Sequence, residues 1–254
     1  MRKRAGLLAL FLFASGAAAR QAPAQGITRQ QADTIIDELH SIHQLLLRLV
    51  PGPGAAALNR PPALVSVRLR PDTHSSGSAS APAAIVEFTD LQCPNCREFA
   101  ASTFPALRAR YIATGKLRFF NLDLPLPVHR YAHQAAVAEN CAGEQGQFWQ
   151  FRRALLLSHG PPSPAVLSET GSALKLDTRE LAACESSRKY DAELAQNRAK
   201  AIAAGITGTP GFVVGAFAAG VLTGVRILGA QPLSDFVAAI NGALATSHAK
   251  PPAH

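Results

Sequence analysis

The chain has 254 residues, of which 48% are hydrophobic, 6% are aromatic and 17% are charged, and its formal net charge is +8. This length is sufficient for one well-buried domain with an additional segment. The basic residues form no clustered stripe with interleaved aromatic side chains, which argues against a nucleic-acid-binding protein.

The first 24 residues are typical of a signal peptide. Residues 1–4 are basic, residues 5–14 form a short apolar run, and residues 17–24 are rich in alanine and offer small-residue cleavage sites. The apolar run is too short to span a bilayer comfortably, so the pattern favours an export signal over an uncleaved membrane anchor. Cleavage after Ala24 would remove four basic residues and lower the formal charge from +8 to +4. We therefore expect a protein that is periplasmic or otherwise exported.

Residues 25–51 predict an amphipathic helix, and residues 52–62 a linker rich in Pro, Gly and Ala. Within residues 28–50, six apolar residues alternate three and four positions apart, as in a heptad seam: Ala32, Ile35, Leu39, Ile42, Leu46 and Leu49. The pattern favours self-association of this helix. The alternative is that the helix docks onto its own catalytic domain.

The segment 63–247 has the pattern of an α/β domain, followed by a flexible tail at 248–254. Residues 63–69 alternate in apolar and polar character and predict an edge strand, whereas the small and polar residues 74–82 predict a loop. Residues 84–88 form an apolar run of strand length. Asp90 then offers a turn or capping oxygen.

Two cysteines, Cys93 and Cys96, follow this strand at the start of a predicted helix. Pro94 suits the first helical turn, and apolar residues recur at helical spacing after Cys96. The unpaired N–H groups and the dipole of a helix N-terminus lower the pKa of a cysteine placed there. We therefore predict that Cys93 is the accessible attacking thiolate and Cys96 the buried resolving thiol. A structural disulfide and half of a zinc site are the alternatives, but no second ligand pair stands at zinc-site spacing.

Residues 117–122 predict the next strand, and residues from about 127 to 200 are helical in periodicity with a proline-rich turn at 160–164. Cys141 and Cys184 each lie on a predicted helix of this region. In an exported protein such a pair is most simply a structural disulfide, and the alternative is a second redox couple. His129 and His133 stand four residues apart, but no third ligand with suitable spacing follows, so we predict no metal site.

After Gly208-Thr209-Pro210-Gly211, residues 211–214 and 221–228 predict two short strands, and residues 232–244 a final amphipathic helix. The order is therefore strand, helix, strand, helices, strand, strand, helix. This is the order of a thioredoxin fold with an inserted helical domain.

Three motifs together resemble the DsbA-like thiol:disulfide oxidoreductases of the thioredoxin superfamily. They are VEFTDLQCPNC at 86–96, CAGEQGQFW at 141–149 and GTPGFVV at 208–214. The three stand in the family's order and, with their spacing, cover roughly residues 63–247.

The resemblance implies roles for further residues. Thr209 and Pro210 would face the two cysteines, with Pro210 in the cis conformation presenting backbone groups to an extended substrate segment. Glu87 would be the buried acid that relays protons as the thiols change state, although its strand position also allows an outward-facing side chain. The resemblance also supports a structural Cys141–Cys184 disulfide and a helix-start packing role for His129.

The sequence thus predicts an exported enzyme that exchanges its Cys93–Cys96 disulfide with cysteines of unfolded or reduced secreted proteins, chiefly as an oxidase. We expect no cofactor, and reoxidation by a membrane quinone-linked partner that is DsbB-like or similar to vitamin K epoxide reductase. One alternative is an oligomeric disulfide isomerase or reductase. Another is a soft-metal chaperone that binds copper(I) through the two thiolates.

Overall fold

The computed structural model describes Gln31, Glu38 and residues 63–248. The chain divides into two units, Met1–Arg60 and Pro61–His254. In the first unit, Gln31 and Glu38 are helical. The predicted signal peptide, the linker, the seam of the N-terminal helix and nearly all of the predicted tail lie outside the described residues.

A mixed six-stranded sheet runs through the described part of the second unit, in the order β1-β6-β5-β3-β4-β2. β3 lies parallel to β4 and antiparallel to β5, and the other neighbouring pairs are antiparallel. The strands are β1 (Val65–Arg68), β2 (Ser75–Ser76), β3 (Ala83–Thr89), β4 (Leu117–Asp123), β5 (Gly211–Ala218) and β6 (Val221–Leu228).

The residues from Pro61 onward contain eight α-helices in their described part, and five of them stand between β4 and β5. Helix α2 continues into a π-helical turn at Arg108–Ile112. The helices are α1 (Pro94–Ser102), α2 (Phe104–Leu107), α3 (Ala132–Glu144), α4 (Phe148–Leu157), α5 (Pro164–Ala173), α6 (Thr178–Ser186), α7 (Asp191–Ala203) and α8 (Leu233–His248). This arrangement confirms the predicted thioredoxin fold with an inserted helical domain.

Strand β3 is the centre of the core, because all seven of its residues are buried and its side chains alternate between the two faces of the sheet. Val86 and Phe88 belong to an apolar cluster that includes Ala201 near the end of α7. Ile85 belongs to a second cluster on the opposite face, with Phe99 of α1. Glu87 shares the face of Ile85, because side chains two residues apart point the same way.

A third apolar cluster joins the inserted helices to the turn that carries the two cysteines. It contains Cys93 and Cys96 together with Ala138 of α3 and Phe151 and Leu155 of α4. The inserted helical domain therefore packs directly against the cysteine-bearing turn and covers it from water.

Two elements differ from the sequence prediction. The predicted loop at 74–82 contains β2, because Ser75 and Ser76 pair with Phe120 and Phe119 at the open edge of β4. This pairing depends on a neighbouring strand and not on local propensity, so polar residues can adopt it. The first strand after Pro210 extends to Ala218, since Ala219 and Gly220 form a two-residue hairpin turn with φ of 49° and 75°.

Candidate active site

The two cysteines lie where β3 ends and α1 begins. Cys93 is the N-cap residue of α1, with extended backbone angles, and Pro94 occupies the first helical turn. The Cys93 N–H donates to the Asp90 carbonyl at 3.0 Å, while the Cys93 carbonyl accepts the Arg97 N–H at 3.2 Å. Cys93 is therefore held at the helix N-terminus, where free N–H groups favour a negative charge.

Both active-site thiols are free and both are buried. Cys96 is fully buried, and Cys93 exposes 5% of its surface. The sequence predicted that Cys93 is accessible to solvent, but the structure buries it. The reason is that the loop at Thr209 lies over it, and the Cys93 thiol donates a hydrogen bond to the Thr209 carbonyl oxygen at 3.2 Å.

The two thiols differ strongly in acidity. A hydrogen bond from the Cys96 thiol, helped by the Thr209 side chain and by the N–H groups of Asn95 and Cys96, lowers the pKa of Cys93 to about 5. Burial raises the pKa of Cys96 well above its ordinary value, and the hydrogen bond to Cys93 acts in the same direction. At neutral pH the pair therefore consists of a thiolate at Cys93 and a thiol at Cys96. The hydrogen bond to the Thr209 carbonyl is formed by the protonated Cys93 thiol.

Asp90 ties the cysteine-bearing turn to the loop between β4 and α3. Its Oδ1 accepts the N–H of Gln92 at 2.8 Å. Its Oδ2 accepts the N–H of Leu126 at 2.8 Å and lies 2.7 Å from Nδ1 of His129. The backbone N–H of Asp90 also lies 3.5 Å from the Cys96 sulfur. The buried carboxyl group of Asp90 thus connects the active-site turn to the loop between β4 and α3.

His129 and His133 contact different carboxyl groups and do not form a common site. His129 bonds Asp90, whereas Nε2 of His133 lies 3.3 Å from Oδ1 of Asp191 and its side chain is 59% exposed. The contact of His129 shows that this residue positions the active-site turn from just before α3.

The loop that faces the cysteines contains a cis peptide bond between Thr209 and Pro210. The Pro210 carbonyl accepts the Gly229 N–H at 2.8 Å, which fixes the loop to the end of β6. A Cβ at Gly211 would lie 2.4 Å from Cγ2 of Ile206, so the close packing behind Pro210 requires glycine at this position. The loop is therefore held against Cys93 from two sides.

Glu87 is buried, with 2% of its surface exposed, so the buried alternative of the two sequence interpretations applies. Its Oε2 accepts a hydrogen bond from Nη2 of Arg152 at 2.8 Å, and the same nitrogen donates to Oγ1 of Thr89 at 2.8 Å. Burial raises the pKa of Glu87 and Arg152 opposes this effect. The charge of Glu87 acts on Cys96 and contributes to the raised pKa of that thiol.

Arg152 and Glu87 belong to a larger buried polar cluster, which we call the buried carboxyl cluster. Its carboxyl groups are those of Glu87, Asp123 and Glu139. Nη1 of Arg152 lies 3.4 Å from Oε1 of Glu139. Amide donors bind both oxygens of Asp123, Asn121 Nδ2 at 2.9 Å and Asn140 Nδ2 at 2.7 Å. β3 and β4 are parallel and in register here, so their carboxyl ends place these groups side by side.

Sequence reasoning missed Arg152, Glu139 and Asp123, although a signal for two of them exists. Arg152 stands four residues after the buried Phe148 and three before the buried Leu155, on the inward face of α4. Glu139 stands likewise among buried alanines of α3. A charged residue on the apolar face of a helix indicates a buried ion or an ion pair. The sequence prediction treated Arg152 and Glu139 only as parts of amphipathic helices.

A disulfide joins Cys141 of α3 to Cys184 of α6, with Cα atoms 5.8 Å apart and a sequence separation of 43. Both residues lie in the same apolar cluster as the active-site cysteines. The bond therefore connects two helices of the insertion behind the active-site turn.

Comparison with known sequences identifies relatives that are longer than the matching region. A family profile described as thioredoxin matches residues 70–219. The Na⁺/H⁺ antiporter NhaA 3 of Salinispora tropica is 31% identical over 179 residues, which cover 70% of this chain and 26% of that protein. The probable disulfide bond formation protein D of Bacillus anthracis is 33% identical over 79 residues, covering 30% of this chain and 36% of that protein. The chain thus spans about a quarter to a third of these relatives.

Comparison with solved structures supports the fold. The crystal structure of α-DsbA1 from Wolbachia pipientis superposes with a TM-score of 0.61 at 22% identity, covering 71% of this chain and 94% of that one. Within the described range, no helix is both long enough and apolar enough to cross a membrane. The profile match covers more than half of the sequence, and the cysteine pair, the cis-proline loop and the helical insertion stand together in one site. The chain belongs to the thioredoxin family.

Proposed function

We propose that this protein is an exported oxidase that passes its Cys93–Cys96 disulfide to pairs of cysteines in reduced secreted proteins. The observation that carries the proposal is the position of Cys93 at the N-terminus of α1, next to Cys96 and facing the loop with the cis Thr209–Pro210 bond. These surroundings lower the pKa of Cys93 to about 5. A thiolate that is stabilised in the reduced enzyme makes the corresponding disulfide a stronger oxidant, because reduction gains the free energy of that stabilisation.

The reaction consists of two thiol–disulfide exchanges. A substrate thiolate attacks the Cys93 sulfur, the Cys93–Cys96 bond breaks, and the Cys96 sulfur leaves with the electron pair and takes up a proton. A second substrate thiolate then attacks the substrate sulfur of the mixed disulfide, and Cys93 leaves as a stable thiolate. Two electrons have passed from the substrate to the enzyme, and the substrate holds a new disulfide.

The loop at Thr209 is suited to holding the substrate during the first exchange. The Pro210 carbonyl is paired with Gly229, whereas the Thr209 carbonyl is bonded to the Cys93 thiol. In the oxidised enzyme Cys93 is bonded to Cys96 and has no thiol hydrogen to donate, so the Thr209 carbonyl lacks this bond when the substrate arrives. The Thr209 carbonyl would then accept a backbone N–H of an extended substrate segment, which would align the segment beside the sulfurs.

Glu87 would exchange a proton with Cys96 during turnover. Cys96 is fully buried and its raised pKa means that it ends the first exchange as a thiol. The proton therefore needs a donor inside the protein. Glu87 is a buried carboxyl group whose charge acts on Cys96, and its pKa is itself raised by burial, so it can carry a proton near neutral pH.

The cellular setting is part of the proposal. Two apparent cysteine pairs suit an oxidising compartment, and the second of them forms a disulfide in the insertion. The signal-like first 24 residues would direct the chain there. The reduced enzyme would be reoxidised by a membrane quinone-linked partner, either DsbB-like or similar to vitamin K epoxide reductase.

The reduction potential of Cys93–Cys96, measured by equilibration with glutathione, tests the direction of electron flow. An oxidase should equilibrate near or above about −180 mV, the value for protein disulfide isomerase, and closer to about −120 mV, the value for DsbA. The purified oxidised enzyme should also introduce disulfides into a reduced, unfolded protein in stoichiometric amounts. A potential near about −270 mV, as in thioredoxin, would overturn the oxidase assignment.

A further inference from the structure

The buried carboxyl cluster contains more negative charge than its surroundings can hold. Glu87, Asp123 and Glu139 expose between 0% and 3% of their surfaces. Arg152 forms ion pairs with Glu87 and Glu139. Three ionised carboxylates around one guanidinium would leave an excess of two negative charges in a site that excludes water. Such an excess is strongly unfavourable, so at least one carboxyl group must keep its proton.

The contacts distinguish the three carboxyl groups. Both oxygens of Asp123 accept amide hydrogen bonds, and Glu87 has the shorter contact to Arg152, at 2.8 Å. Glu87 Oε1 and Glu139 Oε2 both accept no hydrogen bond from the described part of the chain. The other oxygen of Glu139 has only longer contacts, to Arg152 at 3.4 Å and to Asn121 at 3.3 Å. Glu139 is therefore the carboxyl group with the weakest support for a negative charge.

We propose that Glu139 keeps the proton of this cluster and that Arg152 is a positioning residue, which holds the Glu87 carboxylate in place for exchange with Cys96. The proposal builds on the proposed oxidase function and extends it to two residues of the inserted helices. In this arrangement α3 and α4 do more than cover the active-site turn. They supply the charge and the proton that set the state of Glu87.

The other titratable groups around the cluster are consistent with this distribution of protons. Burial raises the pKa of Glu139 well above its ordinary value, with a further increase from Asp123. Burial lowers the pKa of His74, which faces Asp123, so this histidine adds no second cation at neutral pH. The charge of Cys96 acts on Arg152, so the guanidinium would also stabilise Cys96 whenever that residue becomes a thiolate.

Infrared difference spectroscopy of the whole protein tests the location of the proton, because a buried protonated carboxyl group has its own carbonyl band. In the reduced enzyme at neutral pH, in which Glu87 has passed its proton to Cys96, we expect one such band, which disappears in Glu139→Gln and remains in Glu87→Gln. Glu144→Gln is the matched control, since Glu144 lies on the same helix but is exposed and paired with Lys189. A band that survives in Glu139→Gln, or that disappears in Glu87→Gln, would overturn the assignment.

The positioning role of Arg152 is tested by Arg152→Met, with Arg152→Lys as the conservative variant. Without its cation Glu87 should take up a proton, so a second carbonyl band should appear in Arg152→Met and be absent from Arg152→Met combined with Glu87→Gln. The pH profile for resolution of a glutathione adduct on Cys93 should shift to higher pH, because the Glu87 base then forms only at higher pH. Arg152→Lys keeps a cation beside Glu87, so its spectrum and its pH profile should both stay close to those of the wild type.

A spectrum and a pH profile of Arg152→Met identical to those of the wild type would overturn the role of Arg152. If Arg152→Met alone fails to fold, the double variant with Glu87→Gln removes both charges and can be measured instead. The pH profile of Arg152→Lys then still tests whether the geometry of this cation controls Glu87. Wild-type protein that oxidises no dithiols would refute the oxidase function, whereas the infrared bands would still locate the proton. The two failures are therefore distinguishable.

Discussion

The thiol of Cys93 donates a hydrogen bond of 3.2 Å to the carbonyl oxygen of Thr209, 116 residues further along the chain. This contact joins the N-terminus of α1 to the loop that carries the cis Thr209–Pro210 bond. The Cys93 sulfur, which the substrate thiolate attacks, is consequently covered by the same backbone that would bind the substrate. Access to Cys93 and recognition of an extended segment are therefore one event in the proposed mechanism.

Replacing Cys96 should trap substrates, and replacing Cys93 should not. In Cys96→Ala the resolving thiol is missing, so a substrate attached to Cys93 should persist as a mixed disulfide. Cys93→Ala leaves only the fully buried Cys96, which should form no adducts. Non-reducing gels of reactions with a reduced secreted protein measure the difference. Comparable adduct levels in both variants would show that the assignment of the two roles is wrong.

The loss of Cys96 should also raise the pKa of Cys93. The hydrogen bond from Cys96 is the largest contribution to the low pKa of Cys93. The ultraviolet absorbance of the thiolate, followed as a function of pH, should therefore show a midpoint near 5 in the reduced wild type and a clearly higher midpoint in Cys96→Ala. A midpoint that does not move would assign the low pKa to the helix N-terminus alone.

The stability of the reduced protein should fall in acid because of Cys93. The pKa of Cys93 is about 5 in the folded state, below its ordinary value of 9.0, so the stabilisation is fully present above the pKa of the unfolded thiol. It is lost as the pH falls through the folded pKa. Between pH 7 and pH 5 the loss is about 2 kcal/mol. Urea unfolding under reducing conditions measures it, with Cys93→Ser as the reference, and equal slopes for both proteins would contradict the prediction.

Local patterns predicted much of the fold, because many strands and helix ends here are encoded by nearby residues. The buried β3 follows from its largely apolar run, and α1 and α2 follow from Pro94 and the helical spacing of Phe99 and Leu107. The buried carboxyl cluster did not follow, because its members come from β3, β4, α3 and α4 and meet only after the insertion folds onto the sheet. No local pattern specifies which charged residue of one element will face which carboxyl group of another.

Asp90→Ala should destabilise the protein by about 2–4 kcal/mol. The substitution leaves the N–H groups of Gln92 and Leu126 without their acceptor and removes the contact with His129. Asp72→Ala is the control, since Asp72 pairs with Arg70 on the surface and its side chain is 65% exposed, and its loss should cost at most about 1 kcal/mol. Thermal or urea unfolding compares the two. A similar small effect of both would mean that Asp90 does not fix the active-site turn.

Removing the Cys141–Cys184 disulfide should lower stability without abolishing dithiol oxidation. The double alanine variant loses a crosslink over 43 residues, which typically contributes about 2–4 kcal/mol. Cys93, Cys96 and the Thr209 loop are unchanged, so stoichiometric oxidation of a reduced protein should continue. Mass spectrometry should find two alkylatable thiols in the reduced enzyme under mild conditions. Four free thiols in the exported protein would show that the bond is not structural.

The N-terminal segment should make the protein self-associate, and this bears on the reaction that it performs. Six seam residues between 28 and 50 would form an exposed apolar stripe in water, which soluble proteins usually cover. The Pro and Gly residues at 51–54 separate this helix from the domain, which makes continuous packing onto the domain difficult. Association would place several cysteine pairs around one cavity, a layout suited to isomerisation.

Light scattering of the chain from residue 25 onward, with and without residues 25–55, should therefore give a multimeric and a monomeric mass. Ile42→Glu, on the seam, should dissociate the assembly, whereas Gln44→Glu, off the seam, should not. The multimer should also rearrange wrongly paired disulfides faster than the truncated form, which retains the same Cys93 and Cys96. A monomeric mass for the complete exported chain would dispose of the assembly. Because a monomer presents a single active-site cysteine pair, that result would favour oxidation over isomerisation as the reaction of this enzyme.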